Sequence, residues 1–231
     1  MNNDFFKKDF NKFDDEISSR GIDYLIHFTS TLNLLSIYKI GKIMCRDLLE
    51  KIDPEQNDIL DYISFTDNYR YDDKKYINLS IQHPNVELLK SFIKKQSNDI
   101  SIHWCILKID KKYIYKKGTL FSVTNAANKY NQTKIGISED FDKFKQMFSD
   151  NLYYSTSYSS KIISRNKLKD KYPTDSQAEV LVQGEIPVED ILQVCFINTE
   201  ELSSCKVAFK CEGLSTDKFV VDKSLFLETR L

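Results

Sequence analysis

Tyr172-Pro173-Thr174-Asp175-Ser176-Gln177-Ala178-Glu179-Val180-Leu181-Val182 puts a carboxylate at the head of a short apolar run, with Ile186-Pro187 and Ile191 following. The β-branched residues of that run read as a buried strand. An ionised glutamate there needs hydrogen-bond partners or a cationic ligand. Glu179 is therefore either a paired structural residue or a group kept for chemistry.

Working outward, residues 129–175 are the most polar part of the chain. Phe141, Phe144 and Phe148 support a short helix, and Tyr153, Tyr154 and Tyr158 then alternate with Ser and Thr. Lys161, Arg165, Lys167, Lys169 and Lys171 follow. Aromatics interleaved with cations suit a groove that tracks a single strand, because bases stack on tyrosines while lysines meet phosphates. The alternative is a solvated loop.

The chain has 231 residues, 41% of them hydrophobic, enough to bury a core. It reads as one domain over residues 1–231, with an N-terminal helix within 1–20 packed on the body. Thirty-three Lys and Arg against 34 Asp and Glu leave a formal charge of −1, so any nucleic-acid-binding surface must be local. Five cysteines in no CxxC spacing and three scattered histidines suggest neither a disulfide framework nor a metal site. No leader-like N-terminus and no run of membrane-spanning length is visible, so a soluble cytoplasmic protein without a membrane partner is expected. Neither a P-loop nor a GxGxxG fingerprint is present, which argues against a Rossmann nucleotide site.

From the N-terminus, Phe6, Phe10, Phe13 and Ile17 stand at helical spacing and predict an amphipathic helix over 4–18, ended by Arg20-Gly21. Residues 24–28 read as a strand, Thr29 or Ser30 as an N-cap, and 32–40 as a helix closed by Gly41. His27 thus falls at a strand end beside a helix start, as a satisfied structural histidine or a ligand group. Residues 50–75 read as a polar loop with one short strand near 62–65. Residues 77–81 alternate as a strand, followed by His83-Pro84-Asn85 and a helix bearing Val86, Leu89 and Phe92. Strands are expected over 102–109, 119–123 and 192–197, and closing strands over 206–209 and 219–221.

Several of these strings resemble the DarT-type ADP-ribosyltransferase toxins, which modify bases of single-stranded nucleic acid. They are His27-Phe28-Thr29 with Asn33-Leu34, Ile37 and Gly41; Met44-Cys45-Arg46-Asp47-Leu48; Arg70-Tyr71-Asp72 ahead of Leu79-Ser80-Ile81 and Pro84-Asn85; Thr124-Asn125-Ala126-Ala127-Asn128; and the Tyr-Pro-Thr-Asp-x-Gln-Ala-Glu stretch quoted first. The likeness runs from about His27 to Ile191. It implies an α+β ADP-ribosyltransferase fold, a split antiparallel β-sheet core with flanking helices, with NAD as co-substrate and no metal.

The resemblance also implies roles. Glu179 would spread the positive charge that develops on the ribose as nicotinamide leaves, and would take the acceptor proton. Gln177 would orient the acceptor base. His27, Thr29, Asn33, Arg46 and Asn125 would contact NAD, although Asn125 also reads as a turn residue. Arg70 or Arg46 would be the catalytic or phosphate-binding arginine; Arg70 could equally be a surface residue paired with Asp72. Tyr153, Tyr154, Tyr158, Lys167, Lys169 and Lys171 would meet the nucleic acid, single-stranded because a stacked base hides the reacting atom. In the thymidine-modifying branch an arginine follows the corresponding proline, where this chain has Asn85, so the base is left open and RNA stands beside DNA. A cognate antitoxin, commonly a macrodomain, and a role in phage defence are further implications. The rival readings are an ADP-ribosyltransferase acting on a protein side chain and a non-catalytic nucleic-acid-binding module.

Overall fold

The computed structural model describes residues 5–52, 74–95, 102–128, 136–155 and 160–230. The short strand expected near 62–65, Arg70 and Tyr158 lie outside the described residues.

β1 (Tyr24–Ser30) pairs along its whole length with β4 (Trp104–Asp110), and β4 with β11 (Ile191–Phe196). β12 (Phe219–Val221) adds to β11 in parallel and closes that side. On the other side, β3 (Tyr76–Ile81) touches β1 through only two residue pairs, Leu25 with Ile81 and Ile26 with Ser80. The remainder of β3 pairs instead with β9 (Glu179–Gln183), which carries β5 (Leu120–Ser122) and then β6 (Ile137–Ser138). The eight strands therefore run β12-β11-β4-β1-β3-β9-β5-β6, forked where β1 and β3 part.

Two apolar layers hold the sheet, and strand alternation sorts residues between them. Leu25, Leu107, Val194 and Phe196 enter the larger layer with Phe13, Ile17, Leu34, Phe144 and Phe209 from the helices. Ile26, Trp104, Ile106 and Cys195 face the smaller one, closed by Leu89, Leu225 and Phe226. The ring of Phe92 stacks on Trp104 with centroids 5.6 Å apart, sealing that layer's edge.

The first helix, α1, spans Phe10–Arg20 and starts later than the aromatic stripe predicted. Phe6 is held instead in a β-bridge to Lys116, with Lys7 N–H donating to Tyr115 O and Lys117 N–H to Phe5 O. Sheet-type bonding takes the backbone that a longer helix would have used. α2 (Thr31–Ile40) is capped by Ser30 rather than Thr29: Ser30 Oγ accepts from Asn33 N–H. Gly41, at φ +83°, ends it in a left-handed conformation that costs glycine least and sends the chain into β2 (Lys42–Met44), paired with β10 (Glu185–Pro187).

Residues 206–209 are not a strand. They lie in the helix Thr199–Cys211, where Asn198 Oδ1 accepts from Glu201 N–H and buried Cys205 and Phe209 stand four apart. The apolar triplet was too short to separate strand from helix; Asn198 with Glu201 three residues on is the capping pattern that decides it.

Candidate active site

Three consequences of the fork define the site. The first is at its vertex. His27 is the first β1 residue after its pairing with β3 ends, and its Nδ1 lies 3.1 Å from the Asn78 carbonyl oxygen. A carbonyl only accepts, so Nδ1 carries the proton and Nε2 of the neutral ring is left as an acceptor. Burial holds the His27 pKa below the usual histidine value despite that bond, which favours the neutral ring.

The second is a pair of unsatisfied amide atoms on the elements that flank the fork, one on the helix after β1 and one on β3. Asn33 Nδ2 donates to Thr29 Oγ1 at 3.2 Å, while Asn33 Oδ1 is buried without a hydrogen-bond partner. Asn78 Nδ2 is likewise buried and unpartnered. Unmet buried polar atoms are costly, and such sites commonly await a ligand or water. His27, Thr29 and Asn33 are thus drawn together by the turn from β1 into α2. Asn78 reaches His27 from β3 through its backbone carbonyl, and as one of the ordinary polar positions of an alternating strand it carried no sequence signal of its own.

The third is the carboxylate. Glu179 opens β9, across β3 from β1, and is only 9% exposed. Two strand spacings, on the order of 10 Å, separate the strands that bear His27 and Glu179. Ala126 N–H donates to Glu179 Oε2 at 2.7 Å. The loop supplying that donor is built locally: Asn125 Oδ1 accepts from Ala127 N–H at 2.8 Å, and Asn128 N–H returns to Asn125 O. Asn125 is thus a turn-forming residue that presents the Ala126 amide.

Gln177 lies in the turn before β9 rather than on the strand, so strand alternation does not set its direction. Its N–H donates to Asp175 Oδ1 at 2.8 Å, and Ala178 N–H to Asp175 O. Asp175 is buried, and its Oδ2 lies 3.2 Å from the Tyr154 hydroxyl. Tyr154 OH also reaches Val123 O at 3.1 Å and is only 8% exposed. Tyr154 therefore cannot be a base-stacking surface: alternation in β7 (Asn151–Ser155) turns it inward, where it ties the Val123 loop to the turn before Glu179. Neighbouring Tyr153 points out, 66% exposed, and faces equally exposed Ile162 of β8 (Ser160–Ser164). Tyr153 and Tyr154 read alike in sequence as base-stacking candidates; which of the two is buried was not legible there.

Lys167 and Lys169 are exposed and Lys171 half-buried beside the Tyr172 ring. Arg165 differs from them. It is buried, and its guanidinium donates to Tyr172 O, Lys169 O and Thr174 Oγ1, bracing the basic loop from inside. Arg46 heads the short helix Arg46–Leu49, and its Nε donates to Glu50 Oε1 at 3.1 Å; no described contact links it to His27 or Glu179. Asn85 caps the helix Val86–Lys95 by accepting from Leu88 N–H, a structural reason for asparagine after Pro84. Among the described residues no group of three His, Cys, Asp or Glu side chains could hold a metal ion, and no helix is long and apolar enough to cross a membrane.

The family model described as "ssDNA thymidine ADP-ribosyltransferase, DarT" matches residues 26–227, from the fork strand through the β12 side of the sheet. The chain belongs to the DarT family. Its members are NAD-dependent ADP-ribosyltransferases of single-stranded DNA, and that activity is the one this chain inherits. No curated protein matches it. Among solved structures it is similar to Thermus sp. 2.9 DarT in complex with ADP-ribosylated ssDNA, at 12% identity and a TM-score of 0.54, over 90% of this chain and 97% of that one. It is also similar to Thermus sp. 2.9 DarT in complex with NAD+, at 12% identity and a TM-score of 0.53, over 88% and 96% of the two chains. At that identity the likeness is one of fold, and it agrees with the α+β split-sheet architecture expected of the DarT family.

Proposed function

We propose that this protein attaches ADP-ribose to a base of single-stranded DNA with Glu179 as the catalytic carboxylate and the His27 cluster as the NAD cradle. The observation carrying the proposal is the buried Glu179 carboxylate, held by Ala126 N–H at the head of β9 beside the forked strand. The unpartnered amide oxygen of Asn33, whose Nδ2 bonds Thr29 two residues past His27, fits a ligand that bears a carboxamide and ribose hydroxyls.

In this reading His27 Nε2 accepts from a ribose hydroxyl, and Asn33 Oδ1 meets the ligand's polar edge. Glu179 stabilises the positive charge that builds on the ribose as the bond to nicotinamide breaks. As the new bond to the base nitrogen forms, Glu179 accepts the proton that nitrogen loses, and nicotinamide departs. Gln177 orients the base, and Tyr153 with Lys167, Lys169 and Lys171 receives the strand. Thymine, the base in the family's description, is the first acceptor to test. Arg70 or Arg46 neutralises the pyrophosphate. The protein then acts in the cytoplasm as a toxin, restrained by a cognate antitoxin that binds it or removes the modification, in phage defence or growth control.

The test is transfer of labelled ADP-ribose from NAD to single-stranded DNA, single-stranded RNA and cellular protein in parallel, with Glu179→Gln as control. Label on the DNA alone, absent in the variant, is expected. Label only on RNA or protein would overturn the substrate assignment.

A further inference from the structure

Two guanidiniums hold successive carbonyls of the turn that leads into β9. Arg165 Nη1 donates to Tyr172 O at 2.8 Å, and Arg230 Nη1 donates to Pro173 O at 2.8 Å. We propose that Arg230 is a positioning residue for the transfer step, clamping the turn that delivers Gln177 and Glu179. The inference rests on the reading of Glu179 as the catalytic carboxylate. Arg230 lies just beyond residues 26–227 matched to the family model.

The charges explain why the clamp holds. Arg165 and Arg230 are close enough to repel, and the Asp175 carboxylate attracts Arg230. Asp175 is buried, its carboxylate accepting from Tyr154 OH and Gln177 N–H, and the Arg230 charge adds to what offsets its desolvation. Its Oδ1 in turn accepts from Gln177 N–H, and its carbonyl from Ala178 N–H, the residue before Glu179. A force on Pro173 and Asp175 is therefore passed within a few bonds to both acceptor-side groups.

The segment bearing Arg230 is anchored without it. Leu225 and Phe226 are buried in the smaller core layer, and Asp222 N–H donates to Phe196 O at 3.0 Å. Lys108 Nζ pairs with Asp222 Oδ2 at 3.0 Å, and the Tyr172 ring meets His83 edge-on with centroids 6.1 Å apart. Losing the guanidinium should therefore loosen the turn and leave the sheet intact.

The experiment compares wild type, Arg230→Gln and Arg230→Lys in the full chain, reading ssDNA transfer, NAD KM and backbone amide exchange. For Arg230→Gln, kcat for transfer should fall about tenfold with NAD KM nearly unchanged. Exchange at Gln177 and Ala178 should rise about tenfold, with β1 and β4 amides as protected as before. Arg230→Lys, which keeps the charge and a donor, should restore most of both. Asp175→Asn, which keeps the Oδ1 acceptor but removes the counter-charge, is a second variant expected to show the same split. Transfer within about twofold of wild type, unchanged exchange at Gln177 and Ala178, loss of NAD affinity in proportion to kcat, or no rescue by lysine would each overturn the proposal. If wild type itself labels no DNA, the catalytic reading fails, and the exchange measurement still decides what Arg230 does.

Discussion

His27 Nδ1–H donates to the Asn78 carbonyl over 3.1 Å at the residue where β1 stops pairing with β3. The ring thus takes up a backbone acceptor that the sheet abandons as it forks, and the same bond fixes the tautomer that leaves Nε2 free to accept. One side chain both completes the sheet and leaves a ring acceptor at the fork.

That dual role predicts a pH behaviour. Burial lowers the His27 pKa, so the folded protein resists protonation while the unfolded chain takes a proton near the ordinary value of about 6.5. Stability from this group is full above that value and declines as pH falls from it toward the lowered folded pKa. NAD affinity should be flat from about pH 6.5 to 8, because the ring stays neutral there. His27→Ala should weaken NAD binding by about tenfold in calorimetry, and unchanged affinity would leave the ring a structural role alone.

Glu179 separates charge from packing. Glu179→Gln keeps an acceptor for Ala126 N–H and should melt near wild type, yet lose about 100-fold or more in transfer, the usual contribution of a general base. Glu179→Ala strands that buried amide and should cost about 1–3 kcal/mol as well. Transfer by the glutamine variant within about tenfold of wild type would remove Glu179 from the catalytic role.

Tyr153 and Tyr154 should behave oppositely although adjacent. Tyr154→Phe removes the hydroxyl that bridges Val123 and Asp175 and should destabilise by about 1 kcal/mol in denaturant unfolding, with transfer reduced. Tyr153→Ala should leave stability unchanged and raise KM for DNA, as loss of a base stack of about 1–3 kcal/mol would. Neutralising Lys167, Lys169 and Lys171 together should flatten the salt dependence of DNA binding. A salt slope equal to wild type would place the strand elsewhere.

Lys7 is a buried ammonium beneath the β5 edge, its Nζ donating to Thr119 O at 2.7 Å and lying 4.5 Å from the Phe121 ring centroid. Desolvation pulls its pKa down to about 8, against nearby acids that raise it. Below about pH 8 the burial cost is fully present. Between there and the ordinary value near 10.5 the folded state has released the proton and the unfolded state has not, so stability rises with pH. Wild type should therefore gain on Lys7→Met by up to about 3 kcal/mol across that window in urea titrations. A pH-independent difference would show that Lys7 titrates normally.

Local chemistry made much of this legible in the sequence. The apolar run after Glu179 read as a buried strand, Thr29 or Ser30 with Gly41 bracketed α2 because caps are short-range, and the ordered motifs carried the family. Other features depended on groups far apart in the chain. The sheet forks between residues about 50 positions apart, which brings Asn78 to His27. Tyr154 and Tyr153 exchange surface for core by the parity of a hairpin whose register no local signal sets. The Arg230 clamp on Pro173 links residues 57 positions apart. Sequence determined which elements form, since propensity and capping act within a few residues; tertiary structure alone decided which buried polar atoms are met and which are left for a ligand, since those partners come from distant strands.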